Sequence, residues 1–258
     1  MLRKVFSKVS GIPEQKLRNE ALRKSAIKGN LKRAKKLLAE GADVDFKDVN
    51  KLTPLYFAAM HGHVEIARAL LDKGADPNIA REDTLGPPLV RAAYNGDMNM
   101  LALLLDKGAD IDNIDYSQRT ALHQAIDRGM REAAAFLIEK SANPNTQDRL
   151  GNSPLKDALT FSQPEIAKLL VTHGADIGFT TKQGEDMRAL AKRKGFDDVV
   201  AHIDSHVAEQ KAKAEREEAE AKAQAAALEE AVAEAATLKQ PVRAGRTATF
   251  GKKQRPSP

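Results

Sequence analysis

LTPLYFAAMHGHVEIARALLDKGADPN, residues 52–78, decides the fold. Thr53-Pro54 reads as a helix N-cap followed by proline at the first helical position, where the missing N–H costs nothing. Leu55, Ala58 and Ala59 then form the buried stripe of a short helix. Gly62 ends it, because glycine tolerates the left-handed backbone needed there. Ile66, Ala67, Leu70 and Leu71 mark one face of a second helix, which Gly74 closes. Residues 76–85 are polar and turn-forming, with no long apolar run. The stretch is therefore helix, turn, helix, loop.

Outward from it, the pattern recurs. Gly-Ala-Asp stands at 41–43, 74–76, 108–110 and 174–176, with Ser141-Ala142-Asn143 in the remaining place. A second series runs Gly29, Gly62, Gly96, Gly129 and Gly195, with Ser162 filling its gap. Both advance by 33 residues, with one step of 34 that puts a single insertion between Gly74 and Gly96, in the 81–86 loop. One period shared by two independent series identifies a repeat array, in which each unit buries its apolar face only against its neighbours. The small pairs Ala58/Ala59 and Ala92/Ala93 allow close helix approach.

These residues resemble the ankyrin-repeat family. The resemblance is carried by Leu-Thr-Pro-Leu (52–55), Ala-Ala-Met-His-Gly-His-Val-Glu-Ile-Ala (58–67), Leu-Leu-Asp-Lys-Gly-Ala-Asp-Pro-Asn (70–78) and Thr-Ala-Leu-His (120–123). It covers about residues 17–207: four full repeats near 48–80, 81–114, 115–147 and 148–180, between capping repeats at 17–47 and 181–207. It implies an all-α solenoid. Departures are Lys51 and Gln118 for the loop glycine, Pro87 for threonine, and Ser141 and Asn143 for glycine and aspartate. Arg188 replaces a leucine where a terminal cap would face water. The first cap fits the same logic, with Arg23, Lys24, Lys28, Lys32, Arg33, Lys35 and Lys36 around Leu22, Ile27, Leu31, Leu37 and Leu38.

The flanks differ. In residues 1–16, Leu2, Val5, Phe6 and Val9 share one helical face opposite Arg3, Lys4 and Lys8. This reads as a tail or a helix on the first repeat, with membrane contact or targeting as alternatives. Residues 208–239 are an Ala/Glu/Lys tract of high helix propensity. Glu209–Lys213, Lys211–Glu215, Lys213–Glu217 and Glu218–Lys222 are opposite charges at i,i+4, worth about 0.2–0.5 kcal/mol each. Val207, Ala214, Ala221, Leu228 and Ala235 recur every seven residues, but Gln210, Glu217 and Gln224 break the second seam position that a coiled coil needs. An exposed helix is favoured over a dimerising one. Residues 240–258, basic and rich in proline and glycine, are expected to be disordered.

The 258 residues include no cysteine, which excludes disulfides and thiol chemistry and fits a cytoplasmic protein; an effector acting in a host cytosol is the alternative. No stretch approaches the roughly 18 apolar residues of a membrane span. The net charge of +5 hides a partition: +10 over residues 1–38, −11 over 39–238 and +6 over 239–258. The basic ends suit acidic partners, an anionic membrane surface or nucleic acid, and a membrane- or nucleic-acid-associated role through them is the alternative reading, nucleic acid being disfavoured because the interleaved aromatics of base-stacking sites are lacking.

The sequence presents no catalytic constellation, and no enzyme activity, cofactor or metal is expected. No phosphate-binding glycine loop or serine elbow occurs. His61 and His63 flank a turn glycine. His202 and His206 are i,i+4 but lack a third ligand. His123 lies in the motif where the family uses the imidazole to tie loop to helix. Asp76, Asp110 and Asp176 recur as turn formers. Recognition of a partner protein is the better reading, on the concave face that the resemblance implies. Its positions are Val49, Asn50, Leu52, Met60 and His61; Thr84, Tyr94 and Asn95; Tyr116, Ser117, Arg119, Asp127 and Arg128; and Arg149, Leu150, Asn152, Thr160 and Phe161. Tyr and Arg are frequent interface anchors.

Overall fold

The computed structural model describes residues 13–79, 86–181 and 184–238. Twelve α-helices stand among them. They are α1 (Glu14–Lys28), α2 (Leu31–Ala39), α3 (Pro54–Met60), α4 (Val64–Leu71), α5 (Pro88–Asn95), α6 (Met98–Asp106), α7 (Ala121–Asp127), α8 (Arg131–Glu139), α9 (Pro154–Thr160), α10 (Pro164–Thr172), α11 (Met187–Arg193) and α12 (Asp197–Leu238). The expected all-α repeat array is what the chain forms. The N-terminal segment read as a tail or a docking helix, the C-terminal tail and most of the insertion loop lie outside the described residues.

The chain divides into two units, residues 1–206 and 207–258. In the first, α1, α3, α5, α7, α9 and α11 pack in succession as one layer, and α2, α4, α6, α8 and α10 as another. One continuous core runs between the layers, from Leu22 through Leu55, Leu89, Leu122 and Leu155 to Leu190 and Ile203. The alanine pairs 58/59 and 92/93 are wholly buried, as close helix approach requires. Caps follow the sequence signals: Thr53, Thr120 and Ser153 each accept a backbone N–H from the third helical residue.

The recurring acidic turn residues have two local tasks. Asp76, Asp110 and Asp176 each accept the backbone N–H two residues on, at 2.8, 3.0 and 2.9 Å. Their own N–H groups bond to a side chain of the preceding repeat: Asp110 to Asn78 at 2.8 Å and Asp176 to Asn145 at 2.7 Å. Asn143 joins Asp112 in the same way at 2.9 Å. These side chains bond the turn amides within and between repeats at the solvent-exposed edge of the stack.

The missing glycines leave a mark in the backbone. Lys51, Gln118, Ser141 and Ser162 hold φ of 58°, 60°, 66° and 57°, the same left-handed region as Gly62 or Gly74. The repeat imposes its geometry even where the side chain resists it.

Both ends differ slightly from expectation. Helix α1 begins at Glu14, earlier than residue 17. At the other end the second capping helix and the Ala/Glu/Lys tract are a single element, α12, because neither glycine nor proline interrupts the chain from Asp197 to Gln240. Arg188 faces water as anticipated and forms a bidentate pair with Asp204 at 2.6 and 2.7 Å. In the second unit Lys211–Glu215, Lys213–Glu217 and Lys222–Glu218 pair. Lys213 pairs forward to Glu217 where the sequence also offered Glu209. Val207 and Leu228, two members of the seven-residue series, are exposed.

Candidate interaction face

The tips preceding α3, α7 and α9 are each built on a buried aspartate. Asp48 Oδ1 accepts the N–H groups of Asn50 and Leu52, at 2.8 and 3.0 Å. Asp115 does the same for Ser117 and Arg119 at 2.7 and 3.0 Å, and its Oδ2 accepts from Gln124 at 2.8 Å. Asp148 serves Leu150 and Asn152, both at 2.8 Å. Burial opposes ionisation of Asp148, but the donors from Asn152 and Leu150 outweigh it and hold the carboxyl below its ordinary range. A turn pinned from inside lets the outward residues project. Val49 is 96% exposed, Leu150 65% and Tyr116 48%. Phe161, at the C-terminal end of α9, is also exposed.

Two arginines approach the ring of Tyr94 on α5. The Arg91 guanidinium is 4.6 Å from its ring centre and that of Arg128, at the end of α7, is 4.3 Å. Arg149 lies 5.9 Å from the Tyr116 ring, and its N–H donates to the Ser117 carbonyl of the neighbouring tip at 2.8 Å. A groove of about 250 Å³ runs among Val90, Arg91, Tyr94, Tyr116, Arg119 and Asp127, with Asp115, Ser117 and Gln124.

One wall of the groove belongs to a polar network that runs into the interior. Arg119 bonds Asp157 at 2.7 Å, approaches Asp127 at 3.6 Å and donates to the His123 carbonyl at 3.3 Å. Burial pushes Asp157 up to about 6 despite Arg119. His123 Nδ1 receives the Thr120 backbone N–H at 3.3 Å and the Thr120 hydroxyl at 2.9 Å. Nε2 must therefore carry the proton, which it donates to the Asn152 carbonyl at 3.2 Å. The imidazole thus ties one repeat to the next. Burial drives its pKa down to about 4, so the ring is neutral.

The structure sorts the positions read from sequence. Val49, Asn50, His61, Asn95, Tyr116, Arg128, Arg149, Leu150, Thr160 and Phe161 are exposed, and Met60, Tyr94, Ser117, Arg119, Asp127 and Asn152 half-buried. Leu52 is interior, 7% exposed, because its backbone is drawn in by Asp48. Thr84 lies outside the described residues. Several serve the fold as well: Asn95 donates to the Met60 carbonyl at 3.1 Å, and Asn152 bonds Asp148 at 3.0 Å. Arg91 was not among the sequence candidates. Its signal is the i,i+3 spacing to Tyr94 on one helix.

A larger hollow, about 810 Å³, lies on the layer of second helices, among Val64, Arg68, Ala102, Leu105, Phe136 and Lys140. No group of histidine and carboxylate side chains suited to a metal occurs among the described residues. His202 instead meets the Thr172 hydroxyl at 3.0 Å. No helix among the described residues is long and apolar enough to cross a membrane.

Comparison with known proteins agrees with this architecture. A family model described as ankyrin repeats in three copies matches residues 8–81 and 89–181, and a second, ankyrin repeats in many copies, matches 58–105. A putative ankyrin repeat protein of Escherichia coli, YahD, is 27% identical over 68% of this chain and 90% of its own length. A palmitoyltransferase of Lachancea kluyveri, AKR1, is 31% identical over 65% of this chain, which spans only 23% of that protein. The mouse liver-type mitochondrial glutaminase is 36% identical over 35% of this chain and 15% of its own length.

Proposed function

The chain belongs to the ankyrin-repeat family of protein–protein interaction modules, and from that premise we propose that it is a non-enzymatic adaptor which binds a partner protein on the face of loop tips and first helices. The observation that carries this is the set of apolar tips, Val49, Tyr116 and Leu150, held out from water-excluded aspartate turns. Exposing such side chains costs hydrophobic free energy that a partner would recover. The pinned turns lower the ordering cost of binding. A standard interface covers roughly 800 Å² per partner, an area that four stacked repeats can offer. The palmitoyltransferase and glutaminase are both enzymes by name, but this chain spans under a quarter of either. Their chemistry is not assigned to it. A role in the cytoplasm, or in a host cytosol, is compatible with the absence of cysteine.

The test is capture of a partner from the native organism by the full chain and by the triple variant Tyr94→Ala, Tyr116→Ala, Phe161→Ala. The partner is expected to be lost with the variant while its circular dichroism is unchanged. Unchanged capture would move the site off this face.

A further inference from the structure

We propose that the partner segment taken by this face is an acidic peptide, its carboxylates seated on Arg91, Arg128 and Arg149 beside Tyr94 and Tyr116; this rests on the reading of that face as the docking site. The inference starts from an imbalance. Residues 39–238 sum to −11, yet among the described residues the acids lining or adjoining the groove already have partners within the fold. Asp115 and Asp148 are buried in their tips, and Asp157 and Asp127 face Arg119. The arginines are not similarly committed. Among the described residues, Arg91, Arg128 and Arg149 have no carboxylate partner and are held only against tyrosine rings, at 4.6, 4.3 and 5.9 Å.

Arg91 makes the point most sharply. It is half-buried, and its Nε is enclosed with no acceptor among the described residues. A guanidinium that has lost part of its water without gaining a counter-charge is destabilising, and the face of a tyrosine offsets this only in part. A planar, five-donor cation fixed on a ring is preorganised for bidentate binding of a carboxylate. The three sites lie on successive repeats, Arg91 on α5, Arg128 after α7 and Arg149 on the following tip. An extended segment crossing the repeats would meet them in turn. Tyr116 and Leu150, both exposed, flank the path with apolar surface for the side chains between the acids.

The experiment selects random peptides displayed on phage against the full chain, then measures the selected peptides by fluorescence anisotropy. Selected peptides should be enriched in Asp and Glu and should bind more weakly as salt is raised. The triple variant Arg91→Gln, Arg128→Gln, Arg149→Gln should bind them at least about tenfold more weakly. The corresponding triple lysine variant keeps the charge but not the fork, should fall between the two, and serves if the glutamine variant does not fold. Peptides that are lost with Tyr94→Ala and Tyr116→Ala, yet lack acidic enrichment or bind the arginine variants unchanged, would overturn this inference and leave the adaptor reading standing. Selected peptides indifferent to the tyrosine and the arginine variants alike would overturn the adaptor reading and this inference with it.

Discussion

Acidification provides the most direct test of the network behind the face. In the folded chain His123 is neutral, with Nδ1 already accepting from Thr120 and Nε2 already donating to Asn152. A second proton on Nδ1 would set two donors against each other in a buried site. Burial accordingly lowers the pKa from 6.5 to about 4. The folded state binds the proton less readily than the unfolded chain. The stabilisation is therefore fully present above 6.5, erodes as pH falls below it, and is exhausted below about 4. At about 1.4 kcal/mol for each tenfold change in proton affinity, the full loss is about 3 kcal/mol. The assay is urea unfolding of the full chain followed by circular dichroism, with His123→Gln measured in parallel so that all other titrating groups cancel. Glutamine cannot titrate, so the advantage of the wild type over the variant should shrink by about 3 kcal/mol between roughly pH 7 and pH 4. In the imidazole proton NMR spectrum one resonance should titrate near the acid end of that range, and it should be absent from the variant. A gap independent of pH, or a resonance for His123 titrating near the ordinary histidine value, would refute the buried-donor argument.

The other predictions concern the same network and the repeat geometry. Asp157→Asn should show the opposite sign: a carboxyl raised from 3.8 to about 6 gives stability present below 3.8 and lost as pH rises through 6. The wild type should thus gain about 3 kcal/mol over this variant on acidification, by the same unfolding assay. Gln118→Gly and Ser162→Gly relieve left-handed backbones of φ 60° and 57°. Each should stabilise by about 0.5–1 kcal/mol, the relief of the Cβ clash being partly offset by glycine's greater unfolded-state entropy, and calorimetry should show a raised Tm. Gly86→Ala should destabilise more than Gly41→Ala although both glycines have positive φ, because its Cβ would stand 2.9 Å from Asp115 Cβ and 3.2 Å from Asp115 Cα, whereas Gly41 has nothing within 4 Å. The expected losses are about 2 kcal/mol or more against about 1 kcal/mol, read from urea midpoints.

Those contrasts show which physics a linear sequence exposes. The array was legible because its determinants are local and periodic. A capping threonine before Leu55 or Leu122, a glycine at the turn and leucines at helical spacing act within one unit, and stacking then multiplies them. Even Lys51, Gln118, Ser141 and Ser162 could be placed in turns, since a period assigns a position its backbone regardless of the side chain it carries. The face was legible only as a set of positions. Whether a position offers its side chain outward depends on partners supplied by other repeats. Asn95 is drawn to the Met60 carbonyl, and Arg119 to Asp157. Among the described residues Arg149 meets no carboxylate and lies beside Tyr116. These pairs span more than thirty residues in sequence for Asn95, Arg119 and Arg149 alike. The period identifies which repeats adjoin but cannot say which of two arginines on one face will meet an acid. Arg91 follows from this. Its three-residue spacing to Tyr94 was visible, but its significance lies in having no carboxylate partner among the described residues, a property of the assembled stack. Charge left uncommitted after the internal pairs are formed is what a partner can use, and among the described residues Arg91, Arg128 and Arg149 supply it as positive charge although the surrounding sequence is acidic.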